Sequence, residues 1–417
     1  MLLEFKMKNV FSYENEVKLS MLAPNNKVKQ RYQDNYTNVC GYDVLKTAII
    51  VGENAGGKSN FIEGIQYFKY LFVQNERIQT SLSTLFQLNK LDKNDKDNFE
   101  KEQSFEVILA SNEKNKVFKY ILKITGYGIT KESLAIQSKK GETFKKVFEV
   151  STEYSVDDSD QIIGNVDLNV KEFNNKEFET IRETLKKNNR AGLWINTFST
   201  LALEEATDFI EEIKKLMMND DRLALPLDTY YQISDNVFLK NNLSILKSEE
   251  YSEIFKLVDS SITGIIIDEN NPLSDTIIER NIGEKVSRRE VSFESSGVKQ
   301  FMVFATYLYR VIYENRIAFA DELDSMFNPV LTASVINFLQ ASETKGQLVF
   351  TTHNVFNLSF RLFLKEQMNI VAKSKKTLSS VMYSLSEFND LRYDSNEKIY
   401  EYYMKGLLGG VGGENDF

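Results

Sequence analysis

The sequence predicts an α/β fold with a mostly parallel β-sheet, an antiparallel β-meander and a helical insertion. Three observations predict this class. A short apolar run at 46–51 leads into a glycine-rich turn, and apolar residues at helical spacing follow over 60–72. Four short alternating segments lie between residues 102 and 155, as in a meander. Strand and helix patterns alternate again after residue 296, and this alternation is typical of a parallel sheet.

Composition limits the classes of protein. The 417 residues carry 51 basic and 60 acidic side chains, a formal net charge of −9. This charge disfavours a surface for non-specific nucleic-acid binding, although DNA contact through a local basic groove stays open. A single cysteine, Cys40, and a single histidine, His353, exclude internal disulfides, cysteine zinc clusters and sites built on two histidines. No apolar run approaches the roughly 18–20 residues of a membrane span, so we expect a cytoplasmic protein without a membrane partner.

The remaining elements follow from local patterns. Residues 2–20 alternate, pause and alternate again, which predicts a hairpin around 11–16, and polar residues predict a loop over 24–43. Apolar spacing and short apolar runs predict helices over 171–187, 203–218, 236–257, 296–314 and 330–340, and strands over 316–320 and 347–350. No sustained heptad stands out, which disfavours long coiled-coil arms.

These patterns divide the chain into four parts. Residues 1–75 contain the first strand–turn–helix unit, and 286–417 return to alternating strands and helices. Between them, the region 76–285 has the character of an insertion, β-rich over 76–165 and mainly helical over 166–285.

The glycine-rich turn at 52–59, GENAGGKS, has the form of a phosphate loop. It fits GxxxxGK[ST] between a predicted strand and a predicted helix, a context that disfavours an accidental glycine-rich turn. Backbone N–H groups and the helix N-terminus would bind phosphate oxygens. Lys58 would neutralise the β- and γ-phosphates of ATP, and Ser59 would bind Mg²⁺. The nucleotide-binding candidates of the loop are Gly52, Asn54, Gly56, Gly57, Lys58, Ser59 and Asn60.

Two adjacent acids follow the predicted strand at 316–320. Nucleotide-hydrolysing proteins need a carboxylate at the end of a hydrophobic strand that neighbours the phosphate loop. Asp321 would hold Mg²⁺ through water, and Glu322 would orient or deprotonate the attacking water. Capping of a helix by Asp321 is the alternative interpretation.

The order of the motifs resembles that of the ABC-type ATPases. GENAGGKS is followed by ESSGVKQ at 294–300, DELD at 321–324 and THN at 352–354, which look like the signature loop, the paired acids with a D-loop, and the switch histidine. More narrowly, the chain is similar to bacterial AAA-type ATP-binding proteins of the ABC/SMC-like branch. That branch includes the ATPase half of overcoming-lysogenisation-defect nucleases and ATPases of anti-phage and abortive-infection systems.

The resemblance implies roles for five further residues. Ser296 and Gly297 would bind the γ-phosphate held by a second subunit, and His353 would sense this phosphate as a catalytic residue. Asp324 would couple two sites across a dimer, and Gln87 would contact Mg²⁺. Ordinary explanations stay open for each of these residues. The Ser-Ser-Gly turn and Asp324 could simply cap helices, and His353 could be a surface or core histidine. For Gln87 the ordinary explanation, a loop glutamine without a ligand, is favoured.

These residues predict an ATP-dependent molecular switch. A homodimer or larger homo-oligomer would bury ATP at composite sites and control a separate effector, a toxin or nuclease; the resemblance alone suggests phage defence. No second acidic constellation follows His353, so destructive chemistry is expected in another polypeptide. The alternatives are a DNA-repair or chromosome-associated ATPase, an ATP-bound scaffold with negligible turnover and, least favoured, a transporter.

Overall fold

The computed structural model describes most of the chain. The described residues are 1–73, 78, 84–86, 100–156, 162–170, 183, 192–217, 229–323, 327–355, 358–388, 391 and 396–408. The helix predicted over 171–187 lies outside them, apart from residue 183. In the described part of the chain, no helix is long and apolar enough to span a membrane.

The N-terminal elements are β1 (Leu2–Lys8), β2 (Val17–Ser20), β3 (Tyr36–Val39), β4 (Tyr42–Leu45), β5 (Thr47–Gly52) and α1 (Lys58–Leu71). The hairpin of β1 and β2 and the unit of β5, phosphate loop and α1 confirm the prediction. The loop predicted over 24–43 is wrong in its second half, because β3 and β4 form an antiparallel hairpin there. Polar residues such as Asn38 and Asp43 hide its alternation, and backbone pairing stabilises the strands.

The predicted meander is confirmed and extends further than the sequence indicated. Its strands are β6 (Gln103–Ser111), β7 (Lys116–Thr125), β8 (Gly128–Gln137), β9 (Lys145–Val156) and β10 (Ile162–Val170). Because β6 also pairs with β1, the two regions form one antiparallel sheet of seven strands in the order β10-β9-β8-β7-β6-β1-β2.

The next elements are α2 (Trp194–Thr200), α3 (Glu204–Lys214), β11 (Leu216–Met217), α4 (Thr229–Lys240), α5 (Leu243–Leu246), α6 (Glu249–Phe255), β12 (Ile262–Ile266), β13 (Ile277–Ile282) and β14 (Lys285–Glu290). Two predictions need correction here. The helix predicted over 203–218 ends at Lys214, since the chain then joins a sheet as β11. The helix predicted over 236–257 is three short helices, because Ser248 accepts a hydrogen bond from Tyr251 N and starts α6 anew. β12, β13 and β14 form a small antiparallel sheet that no pattern predicted.

The C-terminal elements are α7 (Ser296–Tyr313), β15 (Ile317–Ala320), α8 (Pro329–Ala341), β16 (Gln347–Thr352), β17 (Met368–Lys373), β18 (Ser380–Ser384) and α9 (Asn396–Met404). The predictions for α7, β15, α8 and β16 are confirmed. A six-stranded sheet has the order β11-β15-β16-β5-β17-β18, and all its neighbours are parallel except β17 and β18. The predicted class, a mostly parallel sheet with an antiparallel meander and a helical insertion, is therefore confirmed; the four-part division stays a prediction.

Aromatic side chains pack α1 against the seven-stranded sheet. The ring of Phe68 lies 5.6 Å from that of Phe5 on β1 and 5.4 Å from that of Phe105 on β6, and Phe61 is also fully buried. Such rings bury large apolar areas and favour these tilted arrangements. The helix that follows the phosphate loop is thus fixed to a rigid surface.

A buried carboxyl caps α2. The two carboxylate oxygens of Glu132, on β8, accept hydrogen bonds of 2.8 Å from Trp194 N and Ile195 N at the helix N-terminus. Burial raises the pKa of Glu132 to about 7, and the two backbone N–H groups limit the rise. Folding therefore favours the protonated form of this carboxyl relative to an unfolded chain, where the ordinary pKa is 4.5.

Stability is expected to fall as pH rises from 5 to 8. Since the folded-state pKa is raised, the contribution of Glu132 is fully present below pH 4.5 and is lost as pH passes through about 7. The loss amounts to about 2–3 kcal/mol over this range. Urea unfolding at several pH values measures it. Glu132→Gln should remove this component, whereas the exposed-site variant Glu153→Gln should keep it; an unchanged pH profile in Glu132→Gln contradicts the assignment.

Candidate nucleotide-binding site

The phosphate loop connects β5 to α1 at the carboxyl edge of the parallel sheet. β5 is buried along its whole length, and the N–H of Gly56 donates to Glu53 O at 3.1 Å, closing a turn. Gly57 then adopts φ +118° immediately before Lys58 opens the helix. The sequence therefore places a glycine turn directly before a 14-residue helix, the arrangement that presents backbone N–H groups to an anion.

A cavity of about 760 Å³ lies over this loop. Its lining residues are Asn54, Ala55, Gly56, Gly57, Lys58, Ser59, Asn60, Glu322, His353 and Lys373. Most of the residues predicted from the sequence to bind or hydrolyse a nucleotide thus share one space. Lys373, which no motif indicated, completes the wall. A cavity of this size is in the range of small-molecule sites.

Lys58, His353 and Glu322 form a chain of contacts across the strand ends. Lys58 Nζ donates to the carbonyl oxygens of Gly52 and Glu53, both at 2.9 Å, and lies 3.3 Å from Nδ1 of His353. On the other side of the ring, Nε2 lies 3.3 Å from Glu322 Oε1. An imidazole that carries its proton on Nε2 satisfies both contacts.

Thr351 joins the two acids. β15 and β16 pair in parallel with Ala320 opposite Phe350, so the acids that follow β15 lie beside the last residues of β16. Glu322 N donates to Thr351 Oγ1 at 2.7 Å, and the same hydroxyl donates to Asp321. These bonds hold Glu322 at φ +51°, a left-handed conformation that costs a non-glycine residue about 1–2 kcal/mol. The sequence shows Thr351 only as one hydroxyl in a strand, so its role was missed.

The β1–β2 hairpin and β18 contact the phosphate loop from the side opposite β16. Tyr13 OH donates to Gly57 O at 3.0 Å, and Ser380 Oγ lies 2.6 Å from Gly56 O and 2.8 Å from Ser12 Oγ. A Cβ atom on Gly57 would come within 2.4 Å of Ser380 Oγ. The N-terminal hairpin and β18 therefore set the loop's shape, which the loop motif does not reveal.

Ser296 and Gly297 stand apart from this cavity. They open α7, and Ser296 is exposed; neither lines the cavity. Ser295, rather than Ser296, caps the helix by accepting a hydrogen bond from Val298 N at 3.4 Å. Arg280 on β13 binds Glu294 through two bonds of 2.7 and 3.0 Å. The small sheet thus fixes the entry to α7.

The donor set fits a magnesium ion. The hydroxyl of Ser59 and the carboxylate of Asp321 are hard oxygen ligands, and Mg²⁺ commonly takes one or two carboxylates plus substrate phosphates. Partial desolvation and then the charge of Asp321 raise the pKa of Glu63, which lies one helical turn after Ser59 on α1. The described residues contain no group of three or more His, Cys, Asp or Glu able to hold a metal by themselves. Gln87 and Asp324 lie outside the described residues.

Fold and site define a phosphate-loop nucleotide-binding protein, with its loop, paired acids and histidine on adjacent strands of one parallel sheet. The chain belongs to the family described as "AAA domain, putative AbiEii toxin, Type IV TA system", whose profile matches residues 48–359.

Three solved structures of SMC heads are similar to this chain. A head bound to the C-winged helix domain of ScpA has 13% identity and a TM-score of 0.46, and covers 92% of this chain and 97% of its own. The head from Thermotoga maritima has 14% identity and a TM-score of 0.44, and the match covers 92% of this chain and 98% of that head. A head with an extended coiled coil, bound to the C-terminal domain of ScpA derived from Pyrococcus furiosus, has 15% identity and a TM-score of 0.42, with 97% of this chain and 99% of that head covered. No curated protein matches the chain.

Thr351→Val is expected to slow ATP hydrolysis while leaving ATP binding largely intact. The change keeps the shape of a fully buried side chain but leaves Glu322 N without its acceptor, so Glu322 loses its fixed position. A rate decrease on the order of 10- to 100-fold is expected from such misplacement. Steady-state turnover and equilibrium ATP binding measure the two effects. Thr351→Ser retains the hydroxyl and should restore most of the rate; equal losses in Val and Ser variants contradict this role.

Gly57→Ala is expected to abolish tight ATP binding in a protein that still folds. The methyl group would collide with Ser380 Oγ and Ser12 Oγ, so the loop must move, and a loss on the order of 100-fold in affinity is expected. Gly141→Ala is the matched control, since Gly141 also has a large positive φ, +91°, but no atom within 4 Å of the added carbon. Binding titrations and thermal unfolding of both variants separate the collision from the backbone cost. Equal ATP affinity in the two variants is the contrary result.

Proposed function

We propose that this protein is a cytoplasmic, ATP-dependent molecular switch that hydrolyses ATP and thereby controls a separate effector. The observation that carries the proposal is the convergence of Lys58, His353 and Glu322 on one cavity above the N-terminus of α1. A phosphate loop without an acid and a polar sensor nearby would support binding alone. Here a candidate base stands opposite the phosphate-binding lysine, as hydrolysis requires.

Each residue of the site has a separate role in the proposed hydrolysis. Backbone N–H groups of the loop and the side chain of Lys58 bind the phosphates. When a nucleotide binds, Lys58 gives up its hydrogen bonds to Gly52 O and Glu53 O and donates to phosphate oxygens instead. Glu322 orients or deprotonates the attacking water, and His353 contacts the γ-phosphate. Mg²⁺, held by Ser59 and through water by Asp321, would neutralise charge on the β- and γ-phosphates.

The position of Ser296 and Gly297 supports a composite site. In one chain the exposed N-terminus of α7 does not line the cavity, although an anion would bind favourably there. A second copy, related by a two-fold axis, would bring this helix end to the γ-phosphate, and two equivalent sites would result. Assembly and hydrolysis would then be coupled, with Asp324 as the predicted link and Gln87 as a predicted further contact of Mg²⁺.

The effector is proposed to be a toxin or nuclease on another polypeptide, acting in anti-phage defence or abortive infection. The family description names a putative toxin and a toxin–antitoxin system, which supports this setting. The described residues hold no group of three or more His, Cys, Asp or Glu that could by itself bind the metal ions of a nuclease. The acidic net charge, −9, disfavours DNA as the main ligand.

Mixing two inactive variants tests hydrolysis and the composite site together. Lys58→Ala removes the phosphate-binding cation, and Ser296→Arg blocks the exposed helix end; each alone is expected to be inactive at all protein concentrations. In a mixed dimer one site carries both changes and the other carries none. A 1:1 mixture should therefore regain on the order of a quarter of the wild-type rate.

Controls make the outcome decisive. Wild-type turnover per subunit should rise with protein concentration, and Glu322→Gln should bind ATP yet hydrolyse it at least about 100-fold more slowly. Ser296→Arg as active as wild type, or no recovery when two inactive variants are mixed, rejects the composite site. ATP binding without turnover in the wild type points to an ATP-bound scaffold. Full binding and activity in Lys58→Ala reject the proposal altogether.

A further inference from the structure

Lys373 is a cation in the nucleotide cavity that neither the motifs nor the proposed hydrolysis uses. It is the last residue of β17, it is half-buried, and it lines the cavity with the phosphate loop, Glu322 and His353. A partly buried lysine beside a phosphate-binding loop is a strong electrostatic feature, because its charge acts on a ligand with little screening. Its position relative to the loop indicates which part of the nucleotide it meets.

Strand register places Lys373 beside the loop. β17 pairs in parallel with β5 so that Val371 lies opposite Gly52, and Lys373 therefore extends two residues beyond the level where β5 ends. In the pair of β17 and β18, Lys373 lies opposite Ser380, whose Oγ is 2.6 Å from Gly56 O. Lys373 thus lies on the side of the phosphate loop that contacts the β1–β2 hairpin and β18.

The candidate hydrolytic groups occupy the other flank. In the sheet order β15-β16-β5-β17, Asp321 and Glu322 follow β15 and His353 follows β16. Adjacent strands lie about 4.8 Å apart, so the end of β17 is roughly 10 Å from that of β16, across the loop. In the proposed hydrolysis the γ-phosphate lies near Glu322 and His353, which would act on the attacking water and the γ-phosphate. The rest of the nucleotide then extends over the loop towards β17.

We propose that Lys373 binds the α/β-phosphate side of the nucleotide and strengthens the binding of ATP and ADP equally. This inference rests on the proposed function, since it assumes that the cavity binds ATP. Lys58 and Lys373 then hold the phosphate chain from opposite flanks: Lys58 on the side of the reacting phosphate and Lys373 on the side that remains in ADP. Product retention, and so the lifetime of the ADP-bound switch, depends on Lys373.

Calorimetric titration of the full chain with Mg²⁺–ATP and Mg²⁺–ADP tests the inference. Lys373→Met keeps the apolar stem and removes the charge, and it should weaken both nucleotides by the same factor, about tenfold. Lys373→Arg keeps the charge and should restore most of the affinity. Lys375→Met is the matched control, because it makes the same charge change at an exposed position in the turn after β17 and should leave both affinities unchanged.

Three results would overturn the inference. Weaker ATP binding with unchanged ADP binding would assign Lys373 to the γ-phosphate, and unchanged binding of both would remove it from the site. An equal effect in Lys375→Met would indicate a general loss of positive charge rather than a contact. Lys58→Ala separates this failure from failure of the proposed function: if Lys58→Ala loses both nucleotides and Lys373→Met loses neither, only the role of Lys373 is wrong. Wild-type protein that binds neither nucleotide would reject both.

Discussion

Parallel pairing of β5 between β16 and β17, with β15 on the far side of β16, creates the site. Because the carboxyl ends of parallel strands meet at one edge of a sheet, residues far apart in the sequence come together there. Lys58 and His353 are separated by 295 residues, yet the register of Val51 opposite Thr352 places their segments side by side. A shift of this register by one residue would turn each strand's side chains to the opposite face and separate the contacts.

Contacts from both sheets hold the phosphate loop and α1 in a fixed position. α1 is fixed by the aromatic cluster of Phe5, Phe68 and Phe105, which belongs to the seven-stranded sheet. On the opposite side, Tyr13 and Ser380 bind the carbonyl groups of Gly57 and Gly56. The antiparallel sheet thus supports the site, since its aromatic residues hold α1 and its β1–β2 hairpin carries Tyr13, whereas Ser380 belongs to β18 of the six-stranded sheet. Such preorganisation lowers the cost of ordering the loop when a ligand binds.

The exposed end of α7 is a second, separately constructed element. Arg280 connects the small sheet of β12, β13 and β14 to Glu294, immediately before the serines, and also binds Asp259 at 2.9 Å. Two-point binding between a guanidinium and a carboxylate fixes orientation as well as distance. A helix end held so firmly outside the cavity suits a contact with another molecule, and any protein that shifts the small sheet would also shift this end.

Local sequence patterns were enough to predict several individual elements. The phosphate loop, α1, β15 with its two acids and α7 all follow from patterns within some twenty residues, because glycine turns, helical periodicity and strand burial are local properties. Even so, the polar hairpin of β3 and β4 and the three-part helix over 229–255 escaped the patterns. Their boundaries depend on backbone pairing and side-chain caps that periodicity does not report.

The residues that support the motifs are identified by the pairing of the strands and not by any local pattern. Thr351, Ser380 and Lys373 look ordinary in the sequence, and each gains its place from a strand neighbour. The order of strands in a sheet depends on packing across the whole molecule, so no local pattern encodes it. The motif residues were therefore foreseeable, and the side chains that hold them in position became visible only once the strands were paired.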